Sequence, residues 1–305
     1  MQTSSKRGSA LLMVLWLTAA LSAIGLAVAN NVRGETERAG TNVDDVKSYF
    51  LARGAIERAA LRFQWGLPFY IQGAPAMDLD FPSGIVHVDI VPETSRLSLN
   101  GSRPEDLMRL LMALGLPEDM AVDTAGAIVD WRTPDPLHNS PYDAFYLALS
   151  PSFLPRHASF VENEELLLVK GITPDLFYGS SLDRTHAGLR DCVSVYGTTG
   201  GIDINAAQPE TMQAVGLSPV DAANIVRYRT EHQMITPRQF NEIVQSIGPS
   251  ARRLGFGGQT MFTLRATARM RQPDGKLSDL RRSVAALVKF LPQGGFQVLR
   301  WFDRG

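Results

Sequence analysis

The feature that most constrains this chain is an uncharged apolar run, residues 9–29, that continues without a proline until Pro68. As a helix, the 21 residues of the run reach about 31 Å, enough to cross a bilayer. That exceeds the roughly 7–15 residues of a signal-peptide core. Lys6 and Arg7 stand directly before it, which predicts a cytoplasmic N-terminus with the rest of the chain on the far side.

Three readings fit these residues. Ala27-Val28-Ala29 satisfies the small-x-small pattern of a secretory cleavage site. A permanent signal anchor is the plainest reading. The third is a prepilin-type leader, a short basic peptide ending at Gly8 and cut on the cytoplasmic side of the apolar helix. Glycine suits such a cut because it lets a protease approach the backbone closely. The residues beyond the run favour the third. Val46, Phe50, Ala55, Ile56, Ala59, Ala60 and Phe63 recur at helical spacing, with Arg53, Glu57, Arg58 and Arg62 mostly between them. One helix from residue 9 to about 64 would be about 84 Å long, apolar all round in its first half and amphipathic in its second. Gly34 and Gly40 each cost about 1 kcal/mol relative to alanine and predict a bend or break. A pilin-type subunit has a use for such a helix, packing one half on its neighbours and the other on its own sheet.

Beyond Pro68 and Pro75 the chain changes character. Residues 84–91 read as a strand, with 96–99 as its expected partner across Pro92-Glu93-Thr94-Ser95. Residues 104–130 read as helical, 132–141 as a proline-rich loop, and 162–168 and 174–178 as further helix. Leu114-Gly115-Leu116-Pro117, Lys170-Gly171-Ile172-Thr173-Pro174 and Val215-Gly216-Leu217-Ser218-Pro219 echo one another. Glycine for a tight turn and proline opening the next helix are the texture of helix-hairpin-helix units. Such units bind DNA or simply pack. With Lys+Arg 30 against Asp+Glu 31, a nucleic-acid partner is disfavoured. Residues 261–270, 282–290 and 297–302 alternate as three antiparallel strands. The predicted class is therefore α+β: a long N-terminal helix packed on an antiparallel sheet, with a large helical insertion. No HExxH spacing, GxSxG, P-loop or nucleotide fingerprint occurs, and the single cysteine, Cys192, has no base nearby in sequence. A non-enzymatic protein is expected.

The chain resembles the type II secretion system protein K family (general secretion pathway protein K), the largest of the minor pseudopilins. The resemblance rests on RGSALLMVLWL (7–17), ARGAIE (52–57), IVDW (128–131), ELLLVKGITP (165–174), IDINAA (202–207) and VLRW (298–301). It implies a pilin-like fold, divided into a leader (1–8), a transmembrane and filament helix (9–29), an amphipathic helix with first strands (30–100), a helical insertion (101–190), and a helix-hairpin-helix-like segment with the C-terminal strands (191–305). It also implies cleavage between Gly8 and Ser9 by a prepilin peptidase, with methylation of the new Ser9 amine. Most pseudopilins carry a glutamate at the fifth mature position, where it pairs with a neighbour's N-terminus; here Met13 stands there. An unpaired glutamate is costly in lipid, so an apolar residue fits a subunit with no neighbour above it, at the filament tip. The implied partners are the I and J pseudopilins, the secretion platform and the secretin. The implied location is the inner membrane, crossed once, with the C-terminal domain in the periplasm. A calcium site in an acidic loop is implied too, matched here by Asp130, Asp135 and Asp143. Calcium takes six to eight oxygens, so backbone or water would complete that shell, and a simple solvated loop is the alternative. A membrane-anchored periplasmic DNA-binding protein and a type IV pilus tip subunit are the competing readings of the whole.

Overall fold

The computed structural model describes residues 5–66, 73–137, 139–179, 187–256 and 260–303. In chain order the elements are α1 (Ser5–Trp65), β1 (Ala76–Phe81), β2 (Gly84–Pro92), β3 (Leu97–Ser98), α2 (Pro104–Ala113), α3 (Glu118–Arg132) and α4 (Asp143–Leu147). Next come α5 (Pro174–Tyr178), α6 (Leu189–Cys192), β4 (Val193–Ser194), β5 (Ile202–Asp203), α7 (Pro209–Ala214), α8 (Pro219–His232) and α9 (Pro237–Ile247). The chain closes with β6 (Leu254–Gly255), β7 (Met261–Met270), β8 (Arg282–Phe290) and β9 (Phe296–Phe302).

The helix α1 is continuous for 61 residues, about 92 Å. The break predicted at Gly34 and Gly40 does not occur. Both glycines keep their N–H donors, and a side chain added at either would meet nothing within 4 Å, so they lower helix propensity without breaking the helix. Gly66, at φ 63°, ends the helix, its N–H donating to the Arg62 carbonyl at 3.2 Å. The stop expected at Pro68 lies outside the described residues.

The second half of α1 lies on a five-stranded antiparallel sheet of order β1-β2-β7-β8-β9. Ala52, Ala55, Ala59 and Ala60 are buried around Ile56, and these short side chains let the helix approach Val86, Val88, Leu264, Ala266 and Ala286 closely. Phe63 stacks on Phe290 at 4.3 Å and meets Phe262 edge-on at 4.6 Å. Lower down, the Tyr49 hydroxyl donates to Asp303 at 3.0 Å and Asp45 pairs with Arg282 at 3.8 Å. Up and down are thereby fixed: Phe262 and its partner Pro92 mark the sheet end farthest from the apolar half of α1.

One expected pairing is corrected. Residues 96–99 do not return along β2; Leu97 and Ser98 form β3, which pairs in parallel with Val193 and Ser194 of β4. Pro92 and the 3-10 turn Glu93–Ser95 carry the chain off the sheet, and Leu97 and Leu99 are fully buried in the helical core. The hairpin partner of β2 is β1, whose alternation Met77, Leu79, Phe81 against Asp78, Asp80 carries a readable strand signal.

From that distal end of the sheet rises the helical body. Its core runs from Leu97 to Leu254, across the boundary expected between residues 190 and 191. The echoed glycines are its hinges: Gly115, Gly171 and Gly216 have φ of 96°, 86° and 114°. After α2 the Leu116 N–H reaches back to Leu111 at 3.0 Å, and after α7 the Leu217 N–H reaches Met212 at 3.2 Å. The two hairpins α2–α3 and α7–α8 pack through α2 and α7, where Arg109 donates to the Ala214 carbonyl at 2.9 Å. The helical reading of 104–130 resolves into two helices, α2 and α3, divided at the first hinge. Glu93 ties the two bodies together: it is buried and accepts from Thr263 on β7 at 2.6 Å, from Ser194 on β4, and from Arg96 at 3.2 Å.

Candidate functional site

Two places hold the residues singled out from the sequence. Gly8, Ser9 and Met13 lie in α1, and Met13 is exposed along with Leu11, Leu12, Val14, Leu15, Trp16 and Leu17. This helix is long and apolar enough to cross a membrane, and none of its apolar stretch is buried within the chain. Something outside the chain must cover it.

The second place is the loop between α3 and α5. The end of α3 aims three consecutive side chains three ways, as 100° per residue dictates. Trp131 goes into the core, stacked on Phe160 at 6.3 Å and edge-on to Tyr146 at 5.8 Å. Arg132 donates to the Leu99 and Ser102 carbonyls. Asp130 turns to the loop, where its Oδ1 accepts from the Ser140 hydroxyl at 2.6 Å. Asp143, at the start of α4, is buried beside it. Between the two carboxylates stands His157, which no sequence motif singles out because it lies 27 and 14 positions away from them. Its Nε2 is 3.0 Å from Asp143 Oδ1, its Nδ1 is 3.2 Å from the Asp130 carbonyl oxygen, and Asp130 Oδ2 is 3.9 Å from Nδ1. His157 has φ 46°, a left-handed conformation that histidine adopts at some cost and that sets the ring in this gap.

Asp135 is not part of this group. Its carboxylate accepts the N–H groups of Leu137 (3.2 Å), Asn139 (2.7 Å) and Ser140 (2.9 Å). Desolvation alone would raise its pKa, but these three donors hold it below the ordinary carboxylate range. Asp135 therefore shapes the loop and delivers Ser140 to Asp130. For His157, burial works against the charged ring, yet the bond to Asp143 and the Asp130 carbonyl win and raise its pKa.

Asp130, Asp143 and His157 each offer a ligand atom, all within 4.8 Å of one another. Asp130 Oδ2 and Asp143 Oδ2 are buried without a hydrogen-bond partner. These side chains supply two carboxylates and a nitrogen, so a calcium ion, which takes six to eight oxygens, would draw the rest of its shell from backbone or water. The expected third carboxylate, Asp135, is committed to backbone donors.

The helix-hairpin-helix ends show no anion-binding character. The Ser218 side chain caps α8 by accepting from the Asp221 N–H at 3.1 Å and donates to the Asp221 carboxylate at 2.7 Å. Carboxylates stand in the first turns of both second helices, Glu118 and Asp119 in α3 and Asp221 in α8. They would repel a phosphate at the positive helix end. Cys192 is fully buried, and burial pushes its thiol pKa well up, so it offers no nucleophile.

Both family-model matches fall within the helical body. Residues 96–179 match the family described as type II secretion system (T2SS), protein K. Residues 197–251 match the helix-hairpin-helix motif. Among solved structures, a chain of the GspK-GspI-GspJ complex from the enterotoxigenic Escherichia coli type 2 secretion system shares the fold. The TM-score is 0.58 at 14% sequence identity, covering 88% of this chain and 99% of that one. None of the curated proteins compared matches the chain. The sequence match to protein K covers residues 96–179, and the shared fold extends over nearly the whole chain.

Proposed function

We propose that this chain is a minor pseudopilin of the type II secretion system, anchored by one helix in the inner membrane and placed at the tip of the pseudopilus. The observation that carries this reading is the protein K match over 96–179, mounted on a pilin-like helix and sheet. The geometry gives each part a task. The apolar half of α1 is covered first by lipid and then by the helices of neighbouring subunits. The amphipathic half holds the sheet. The helical body rises from the membrane-distal end of the sheet, at Pro92 and Phe262, where a further subunit would have to stack in a filament shaft. Bulk at that end is tolerated only where nothing comes after it, and Met13 agrees, because it offers no carboxylate to pair with a neighbour's amine.

In this reading Gly8 and Ser9 form the processing site. I- and J-type pseudopilins are the immediate partners, by analogy with the GspK-GspI-GspJ complex whose chain shares this fold. The role is structural, with no catalytic step. The acidic first turns of the hairpins favour packing over DNA.

Mass spectrometry of the N-terminus tests the processing. A mature chain beginning at methylated Ser9 is expected, and Gly8→Ala should accumulate uncut precursor. A start at Asn30, or an intact Met1, would overturn the pseudopilin reading. Co-purification with I- and J-type pseudopilins tests the tip complex. Affinity for duplex DNA that falls steeply with salt would instead favour the DNA-binding alternative.

A further inference from the structure

We infer that His157 closes the acidic loop of the helical body in the place a cation would take, so that this chain holds the loop without calcium.

Both ring nitrogens of His157 face acceptors. Nδ1 meets the Asp130 backbone carbonyl, which accepts only, at 3.2 Å, and Nε2 meets the Asp143 carboxylate at 3.0 Å. The ring therefore fills the gap between the two carboxylates, whose ligand atoms and its own all lie within 4.8 Å of one another. It bridges the two segments, the end of α3 and the start of α4, that an ion held between these carboxylates would join. The ring is 6% exposed, with Asp130 and Asp143 side chains at 17% and 10%, so water screens the arrangement little.

The rest of the loop is built around this link. Ser140 joins Asp135 to Asp130, since its N–H donates to Asp135 at 2.9 Å and its hydroxyl to Asp130 at 2.6 Å. Ala158, next to His157, donates its N–H to the Trp131 carbonyl at 3.0 Å, which pins the segment against α3. Asp130 Oδ2 and Asp143 Oδ2 are the carboxylate oxygens of this group that make no hydrogen bond. Two oxygens with a ring nitrogen already between them make a poor start for a shell of six to eight oxygens. The loop closes in this way whether or not the chain is a pseudopilin.

The test uses the full-length protein in detergent, with calcium chloride and a chelator as the two conditions. Thermal unfolding should give the same Tm in both, and calorimetric titration with calcium should show no binding. His157→Ala should lower the Tm in chelator. It also frees Asp143 Oδ1, so calcium should recover part of the loss in that variant. A wild-type Tm that rises in calcium, with the rise abolished by Asp143→Asn, would overturn the inference. So would a His157→Ala variant as stable as wild type in chelator. If His157→Ala fails to fold, His157→Gln, which keeps an NH2 donor group at one position, takes its place in the same comparison, and the wild-type calcium titration decides independently.

Discussion

Among the described residues, His87 and His157 are each held between aspartates, one in each body, and they differ in almost everything but composition. On the sheet, His87 lies 2.7 Å from Asp78 and 3.3 Å from Asp89, with half of its side chain in water. Strand geometry alone makes that group, because Asp78 is the direct cross-strand partner of His87 and Asp89 lies two residues along the same face. In the helical body, His157 draws one aspartate from a helix end and one from a helix start, and almost no water reaches it. An exposed ion pair contributes about 0–1 kcal/mol, whereas breaking a buried one leaves an uncompensated charge costing several times more. The same residue types are surface decoration in one body and a fastener in the other.

Removing a partner from each group should expose that difference. Asp143→Ala leaves a buried imidazole without its closest carboxylate and should cost about 3 kcal/mol in denaturant unfolding, whereas Asp78→Ala should cost less than about 1 kcal/mol. Equal losses would erase the contrast. Next in size, Glu93→Ala removes the shared acceptor of Thr263, Ser194 and Arg96 and should cost about 2 kcal/mol. It should also separate one calorimetric transition into two, since Glu93 joins the bodies. A single sharp transition in that variant would mean that they are coupled elsewhere. Ser140→Ala removes the hydroxyl that supports Asp130 and should cost about 1 kcal/mol.

The smallest effect belongs to His87 and depends on pH. The hydrogen bond to Asp78, opposed by partial burial and helped by Asp89, raises its pKa above 6.5. A raised histidine contributes stability that is fully present below its unfolded value and is lost as pH rises through its folded one. Nuclear magnetic resonance titration should place the His87 midpoint above 6.5. Asp78→Asn should move it back toward the ordinary histidine value. A wild-type midpoint at or below that value would remove the ion-pair account of the group.

Much of the frame is legible from one dimension. Helical spacing in α1, alternation in β2 and β7–β9, and glycine before a helix-opening residue at Gly115, Gly171 and Gly216 are local patterns, each enforced by backbone geometry within a few residues. Asp130 and Asp143 stand out in the same loop of the sequence and do meet there. Asp135 belongs with them by residue type, but its carboxylate is claimed by the N–H groups of its own turn, which composition does not reveal. Residues 96–99 read as a hairpin strand because a turn sequence precedes them. Burial of Leu97 and Leu99 in a core gathered from later helices takes them elsewhere.

The sequence by itself determined the apolar helix, its continuation onto a sheet, and the hinge positions of the helical body, because those depend on covalent geometry and the spacing of apolar side chains. Only the tertiary structure decided what closes the acidic loop and what joins the bodies. His157 and Glu93 act through partners that lie up to 170 residues away in the chain. Whether a charge is a fastener or an ornament depends on how much water folding leaves around it.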